Sequence, residues 1–171
     1  MGPESTGKST LCAALAAHYS TLWAKEYARE YLETHGTDYS YEQLAEIAQG
    51  QLRNEDEAMQ KLSGTEKPLI VDTDMYVMKV WSEFVYNKCE NHILQQIAAR
   101  KYDLYLLCSP DLPWVKDQLR EYPDLETRKK LFCYYKDALV WQHVPWVEIT
   151  GINEERTAKA IAAIDALLAQ P

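Results

Sequence analysis

The amino terminus carries the feature that most constrains this chain. Residues 2–10 read Gly-Pro-Glu-Ser-Thr-Gly-Lys-Ser-Thr, a complete match to the pattern G-x-x-x-x-G-K-[ST]. Such a loop surrounds a phosphate with backbone N–H groups, while its lysine reaches phosphate oxygens and the next hydroxyl meets Mg²⁺. A glycine turn that only caps a helix would need neither the lysine–serine pair nor the first glycine. We therefore predict a site for a nucleoside triphosphate and Mg²⁺.

The composition narrows the class of protein. With 171 residues and 47% hydrophobic content, the chain suits one compact domain over residues 1–171. A net charge of −8 argues against a sequence-independent grip on nucleic acid and against anionic membranes. The four cysteines form no C-x-x-C pair, so we expect reduced, mostly buried thiols. We expect a cytoplasmic protein with a small-molecule substrate and neither a nucleic acid nor a membrane partner.

Short apolar runs alternate with helical patterns along the chain. The apolar runs are residues 21–24, 68–72, 104–108 and 146–149. Leu11 and Leu15 predict a helix directly after the loop, and Ser40 with Gln43 forms a capping-box pattern before a long helix. A last helix is predicted to start at Asn153. This alternation predicts an α/β layered fold with a parallel sheet.

A pair of carboxylates follows the second apolar run. Asp72 ends that run, and Asp74 comes two residues later. Ligands gather beyond the carboxyl ends of parallel strands, where Asp72 should lie. Asp72 could hold the water shell of a metal ion or accept a proton from an attacking hydroxyl. Asp74 could contribute to the same site or serve as the N-cap of the next helix.

Two further groups of residues are candidates for the site. Glu26 and Arg29 lie one helical turn apart, on one face of a helix, where they form either part of a site or a surface ion pair. Arg120 and Arg128 follow a segment with Trp114 and Asp117, which could be a mobile lid over a triphosphate. A solvated helix face would give the same basic pattern, and Trp114 could stack on a flat ring or simply pack.

Together these motifs resemble the ribosylnicotinamide kinase domain of NadR-type NAD-biosynthesis proteins and their stand-alone ATP-binding relatives. The resemblance covers nearly the whole chain. Its carriers are the loop of residues 2–10, the segments 26–30 and 72–74, and the segment 110–115 leading to Asp117 and Arg120. It implies a three-layer P-loop NTPase kinase-like fold, with strand order 2-3-1-4-5. It also implies ATP and Mg²⁺ as cofactors and transfer of the γ-phosphoryl group to the 5′-hydroxyl of a pyridine riboside.

The resemblance also implies roles for individual residues. Lys8, Asp72 and Arg120 would be catalytic, with Ser9 and Asp72 at the metal. The nucleotide would be bound by Gly2, Glu4, Ser5, Thr6, Gly7, Lys8, Ser9, Thr10 and Arg128. The acceptor side would be lined by Glu26, Arg29, Asp74, Trp114 and Asp117.

Two positions depart from the family pattern. Lys25 stands where an aromatic residue can precede the E-Y-x-R-E motif, and Gln118 stands where the lid often has glycine. An ATP-dependent small-molecule kinase is the leading hypothesis. Because the acceptor side is altered, the alternative is a non-catalytic or slowly hydrolysing ATP-binding module that signals to a partner.

The phosphate loop starts almost at the first residue of the chain. Only Met1 precedes Gly2, whereas the family's first strand should lie before the loop in the middle of the sheet. Its loss would leave buried ladder groups unpaired, at roughly 1–3 kcal/mol each. We therefore expect that the natural protein begins several apolar residues earlier, or that the loop is loosely anchored.

Overall fold

A computed structural model describes residues 1–170, which form seven helices and four strands. In chain order the elements are α1 Lys8–His18, β1 Trp23–Ala24, α2 Tyr27–His35, α3 Tyr41–Leu62, β2 Ile70–Val71, α4 Met75–Tyr86, α5 Asn91–Ala99, β3 Tyr105–Cys108, α6 Leu125–Val140, β4 Trp146–Ile149 and α7 Glu154–Leu168. This order confirms the predicted α/β alternation.

The chain divides into two compact units. The terminal unit comprises Met1–Leu15 together with the chain from Lys101 onward, and the central unit comprises Ala16–Arg100. The single domain expected from the length remains a prediction. Within the described residues, no helix combines the length and the apolar character needed to span a bilayer.

The central unit is built around its long helix. Helix α3 begins at Ser40, whose hydroxyl and backbone form the predicted capping box with Gln43. Its buried face carries Leu44 and Ile47, at 1% and 0% exposure, and α3 packs against α2, α4 and β1. Strands β1 and β2 pair in parallel, with Trp23 opposite Ile70. The apolar face of α3 therefore supports the short sheet that precedes Asp72.

The terminal unit contains the second parallel pair. Strands β3 and β4 pair over four residues, with Tyr105 opposite Trp146, and helices α6 and α7 pack on them. Leu107 and Ile149 are fully buried at the centre of this core. Of the four cysteines, Cys108 on β3 is buried as expected, whereas Cys133 on α6 is exposed.

Met1 lies alongside β3 in the manner of a strand residue. Its amino group donates to the Leu106 carbonyl (2.8 Å), and its carbonyl accepts a hydrogen bond from the Cys108 N–H (2.9 Å). Alternating bonds of this kind are those of a parallel ladder. In the family order 2-3-1-4-5 the first strand lies beside the fourth, which is β3 here. Met1 therefore occupies the place of the family's first strand.

The predicted strands are shorter in the structure at the first two positions. Residues 21–22, 68–69 and 72 lie outside β1 and β2, which have two residues each. Thr21 instead uses its N–H to close the end of α1 by donating to Ala16, and its hydroxyl donates to Pro68. Apolar character extends beyond the residues that pair, so the apolar run alone overestimates the strand.

Candidate functional site

The phosphate loop has a backbone that only particular residues tolerate. Gly2, Ser5 and Gly7 have φ values of 137°, 55° and 74°. A Cβ atom at Gly2 would lie 2.6 Å from the Cys108 carbonyl oxygen, which is far too close. Glycine is therefore required at position 2, where the start of the loop passes against Cys108 of β3.

Inside the loop, polar groups are arranged around its own backbone. Thr6 is fully buried, and its hydroxyl donates to the Pro3 carbonyl at 2.8 Å. The Lys8 ammonium donates to the same carbonyl at 2.7 Å. Helix α1 starts at Lys8, and the side chains of Ser9 and Thr10 in its first turn are exposed. The loop thus presents the amino end of a helix, a lysine and two exposed hydroxyl groups, which together suit an anion.

Arg156 holds this loop by a hydrogen bond to its backbone, and the sequence did not predict this role. Its guanidinium is buried on α7 and donates to the carbonyls of Thr6 (3.0 Å), Ser109 (3.2 Å) and Gly151 (3.0 Å). It also pairs with the carboxylate of Asp111. Arginine in the first turn of a helix has no sequence pattern that marks it as buried, so nothing in the sequence signals this role.

The predicted lid, residues 114–122, is irregular and lies against the loop. Glu4 receives hydrogen bonds from the Trp114 indole (3.1 Å), the Glu121 N–H (2.9 Å) and the Tyr122 N–H (2.7 Å). Ser5 accepts one from the Val115 N–H at 3.0 Å. The Trp114 indole N–H thus has a defined hydrogen-bond partner, whether or not the ring also stacks on a ligand.

The lid is also ordered internally. Asp117 accepts from the Leu119 N–H (3.0 Å) through its side chain and from the Arg120 N–H (3.3 Å) through its carbonyl. The Arg120 guanidinium donates to the Val115 carbonyl at 2.5 Å. These bonds form a compact turn that fixes the direction of Arg120.

Arg128 is buried beside the lid rather than exposed on a solvated face. It lies on α6 at 3% exposure and donates to the Leu112 carbonyl at 3.4 Å, while its Nε has no hydrogen-bond partner. The two lysines that follow it on α6, Lys129 and Lys130, are exposed. The structure therefore separates one buried arginine from a solvated pair of lysines.

Two titratable groups mark the end of the lid. Burial, followed by the negative charge of Glu121, raises the pKa of Tyr122 to about 12. Asp124 is the N-cap of α6, and the hydrogen bond from the Thr127 N–H lowers the pKa of its carboxyl group. The lid thus runs directly into a capped helix.

Asp72 stands out in the central unit. It follows β2 at 2% exposure, and neither of its carboxylate oxygens has a hydrogen-bond partner. A buried carboxylate without partners is costly unless a cation or a donor completes it. Carboxylate oxygens of this kind are ligands that suit Mg²⁺.

Asp74 has a structural role that the sequence reasoning left open. Its Oδ1 accepts a hydrogen bond from the Val77 N–H at 3.1 Å, which makes it the N-cap of α4. The capping alternative is therefore confirmed for Asp74. Between the two aspartates, the buried Thr73 hydroxyl has no hydrogen-bond partner.

The Glu26–Arg29 segment starts helix α2. Glu26 is its N-cap residue, and Arg29 lies 3.6 Å from Glu33 in an exposed ion pair. Gln51 on α3 holds the start of this helix, since it accepts from the Tyr27 N–H (2.8 Å) and donates to the Lys25 carbonyl (3.2 Å). The position of Glu26 is therefore set by a buried amide that no motif includes.

Close packing and a cation–π contact complete this region. A Cβ atom at Gly50 would lie 2.0 Å from the Tyr27 ring, so a glycine lets that ring lie against α3. Lys25 places its ammonium 5.3 Å from the Trp23 ring centroid. The departure from the family pattern at Lys25 is thus packed on the aromatic ring two residues earlier.

The sequence-predicted residues fall into two groups. In the terminal unit, the structure brings the loop of residues 2–10 together with Trp114, Asp117, Arg120 and Arg128. The central unit holds Glu26, Arg29, Asp72 and Asp74.

Comparison with known proteins places these features in a family. A family profile described as an AAA domain matches residues 1–156. The trifunctional NAD biosynthesis/regulator protein NadR of Escherichia coli strain K12 is 28% identical over 153 residues, and that of Salmonella typhimurium strain LT2 is 31% identical over 153 residues. Each alignment covers 87% of this chain and 37% of the relative, so the chain spans little more than a third of these proteins.

Solved structures agree on the fold. A crystal structure of NadR protein in complex with NR superposes with a TM-score of 0.80 at 22% identity, over 100% of this chain and 50% of that one. A second, in complex with NAD and AMP-PNP, gives 0.77 at 21% identity, over 100% of this chain and 49% of that one. The α/β P-loop kinase-like fold is thereby confirmed. This chain belongs to the AAA-domain family and has a NadR-like P-loop domain.

Proposed function

We propose that this chain is an ATP-dependent kinase that phosphorylates the 5′-hydroxyl of nicotinamide riboside. The observation that carries the proposal is the complete phosphate loop, whose shape is fixed by Gly2, by the buried Thr6 and by Arg156. Support for the acceptor comes from the two NadR crystal structures, one in complex with NR and the other in complex with NAD and AMP-PNP.

The terminal unit would supply the phosphate machinery. The loop N–H groups and Lys8 would hold the β and γ phosphates, and Arg120, with Arg128, would offset charge that develops on the transferred group. Gly2, Glu4, Ser5, Thr6, Gly7, Ser9 and Thr10 complete the proposed nucleotide site.

Ser9 and Asp72 are the two residues proposed to hold magnesium. Ser9 would hold it with an exposed hydroxyl, and Asp72 with a carboxylate that is buried and has no other partner. When bound, Mg²⁺ neutralises phosphate charge in phosphoryl transfer. Asp72 is thus proposed either to hold the metal's water shell or to take up the proton of the attacking hydroxyl.

The acceptor side is proposed to involve five residues. Trp114 offers a flat ring, and the other four offer charged or polar groups for a ribose and a cationic pyridine. They are Glu26, Arg29, Asp74, Trp114 and Asp117. For Asp74 this proposal adds to its observed role as a cap.

The proposed reaction is a direct displacement at phosphorus. The ribose hydroxyl oxygen forms a bond to the γ-phosphorus, the bond from that phosphorus to the bridging oxygen of ADP breaks, and the hydroxyl proton passes to Asp72 or to water. The protein then contributes mainly by positioning groups and stabilising charge.

Nucleotide binding at the loop is tested by thermal denaturation. ATP with Mg²⁺ at a hundred times its dissociation constant should stabilise the protein by about 2.7 kcal/mol, raising Tm by roughly 5–10 °C. Lys8→Ala should lose this shift, whereas the exposed α7 variant Lys159→Ala should keep it. An unchanged shift in Lys8→Ala would show that the loop is not the site.

The acceptor is tested by ADP release across a panel of nucleosides. Nicotinamide riboside should stimulate release above the rate with ATP alone, and other ribosides should do so less. ATP-dependent stabilisation with no acceptor-dependent release would instead support the signalling module, and an ATP-dependent partner should then co-purify.

A further inference from the structure

A carboxylate in a phosphate loop calls for an explanation, because it repels the triphosphate that the loop binds. Glu4 is such a residue: it lies between two of the loop's glycines and is half-buried. Loop glycines, lysine and hydroxyls all favour an anion, whereas this side chain opposes one. Its contacts with other parts of the terminal unit show what it does instead.

Three donors of the lid converge on this one carboxylate. Oε1 accepts from the Trp114 indole at 3.1 Å and from the Tyr122 N–H at 2.7 Å, and Oε2 accepts from the Glu121 N–H at 2.9 Å. Hydrogen bonds to an ionised acceptor are about twice as strong as neutral ones. The two ends of the lid, residues 114 and 121–122, are therefore held at a single point.

Arg120 lies within the segment that these bonds enclose. Its neighbour Glu121 is anchored directly to Glu4, and its guanidinium donates to the Val115 carbonyl. Val115 is in turn held through its N–H by Ser5, the loop residue after Glu4. The position of Arg120 is thus set from both sides by adjacent residues of the phosphate loop.

We propose that Glu4 is a positioning residue that fixes the lid, and with it Arg120, against the phosphate loop. This role rests on the proposed function, since Arg120 matters only if phosphate charge develops beside it. Glu4 belongs to the loop of the proposed nucleotide site, and its carboxylate then acts on the transferred phosphoryl group through the lid. A purely electrostatic role predicts the opposite sign, because removing a negative charge from the loop would favour ATP.

Limited trypsin digestion tests the contact without any activity. The lid carries cleavable bonds after Lys116 and Arg120. Glu4→Ala should raise the rate of cleavage at these bonds roughly tenfold in the nucleotide-free protein, because charge-assisted hydrogen bonds hold the lid against the loop. Glu126→Gln removes the same charge from an exposed ion pair on α6 and should leave the cleavage rate unchanged.

Kinetics then separate positioning from charge. Glu4→Ala should lower kcat roughly tenfold with little rise in the KM for ATP. Glu4→Gln keeps one carbonyl acceptor, so its kcat should lie between those of Glu4→Ala and the wild type. Arg120→Ala should lower kcat, and adding Glu4→Ala to it should lower kcat little further, because both act through one group.

Each failure has a distinct meaning. Unchanged cleavage in folded Glu4→Ala, judged by an unchanged Tm, would overturn the proposal, as would a kcat equal to the wild type. If cleavage rises but no riboside is phosphorylated by any variant, the lid contact stands and the proposed kinase function fails.

Discussion

Arg156 shows how much of the loop depends on residues outside its motif. The amino end of a helix disfavours a cation, yet this arginine lies in the first turn of α7. Its four partners, the carbonyls of Thr6, Ser109 and Gly151 and the Asp111 carboxylate, offset that cost. The phosphate loop is therefore shaped partly from the far end of the chain.

Replacing Arg156 should weaken folding and nucleotide binding together. Arg156→Met leaves three carbonyls and a carboxylate without their donor, so the free energy of unfolding should fall by about 3 kcal/mol. Arg156→Lys keeps the positive charge but not the planar set of guanidinium donors, so its free energy of unfolding should fall by less. Urea denaturation with and without ATP measures both effects.

A matched variant separates this from a general effect on α7. Lys159→Met removes an exposed cation from the same helix and should change stability by less than about 0.5 kcal/mol. Equal losses in the Arg156 and Lys159 variants would contradict the bracing role.

At this scale the sequence predicts residue types better than contacts. The loop glycines and Lys8 follow from the motif, and the capping alternative for Asp74 follows from its place before an apolar helix. Gln51 and Arg156 could not be found, because burial of a polar side chain depends on partners that are distant in the chain.

Helix α6 links the lid to the core of the terminal unit. Its N-cap is Asp124, whose carboxylate accepts the Thr127 N–H at 2.7 Å, and Arg128 one turn later donates to the carbonyl of Leu112, two residues before the lid. The amino end of α6 therefore belongs to the lid as much as to the helix. Its stability should follow the charge of the capping carboxylate.

The cap should make stability depend on acid pH. Because the hydrogen bond lowers the folded-state pKa of Asp124, its stabilisation is complete above the unfolded pKa, near 3.8, and is lost as pH falls through the lower folded-state value. Asp124→Asn caps without titrating. As pH falls below about 4, the urea midpoint of the wild type should therefore fall relative to that of Asp124→Asn.

The same comparison can fail in a defined way. Between pH 5 and pH 7 both proteins keep a capped helix, so their difference in midpoint should be constant. A difference that stays constant down to pH 3 would show that the cap does not titrate with folding.

Elements with a local signal were predicted most fully. The capping box fixes the start of α3, and β3 and β4 nearly match their apolar runs. Strands β1 and β2 are shorter than predicted: Thr21 bonds back to Ala16 of α1, whereas Leu22 and Asp72 each still make one backbone bond across the pair at its ends. The lid stays a prediction made from its charges, and its hydrogen bonds to Glu4 could not be predicted, since a loop glutamate has no local pattern.

For the whole molecule, the strand pairs agree with the family order 2-3-1-4-5. The second and third strands of that order correspond to β1 and β2, and the fourth and fifth correspond to β3 and β4. Met1 pairs with β3 at the place of the family's first strand. The net charge of −8 means that affinity for a triphosphate must come from local groups. The groups proposed for this are the loop with Lys8, Arg120 in the lid and Arg128 on α6, while Asp72 offers the carboxylate proposed for the metal.

The central claim is that this chain moves a phosphoryl group to a pyridine riboside. Mass spectrometry of a reaction with ATP, Mg²⁺ and nicotinamide riboside tests it most directly. We predict a phosphorylated riboside in amounts equal to the ADP formed, and a rate about a hundredfold lower for Asp72→Asn. Consumption of ATP without any phosphorylated riboside, or full activity in Asp72→Asn, would contradict the account.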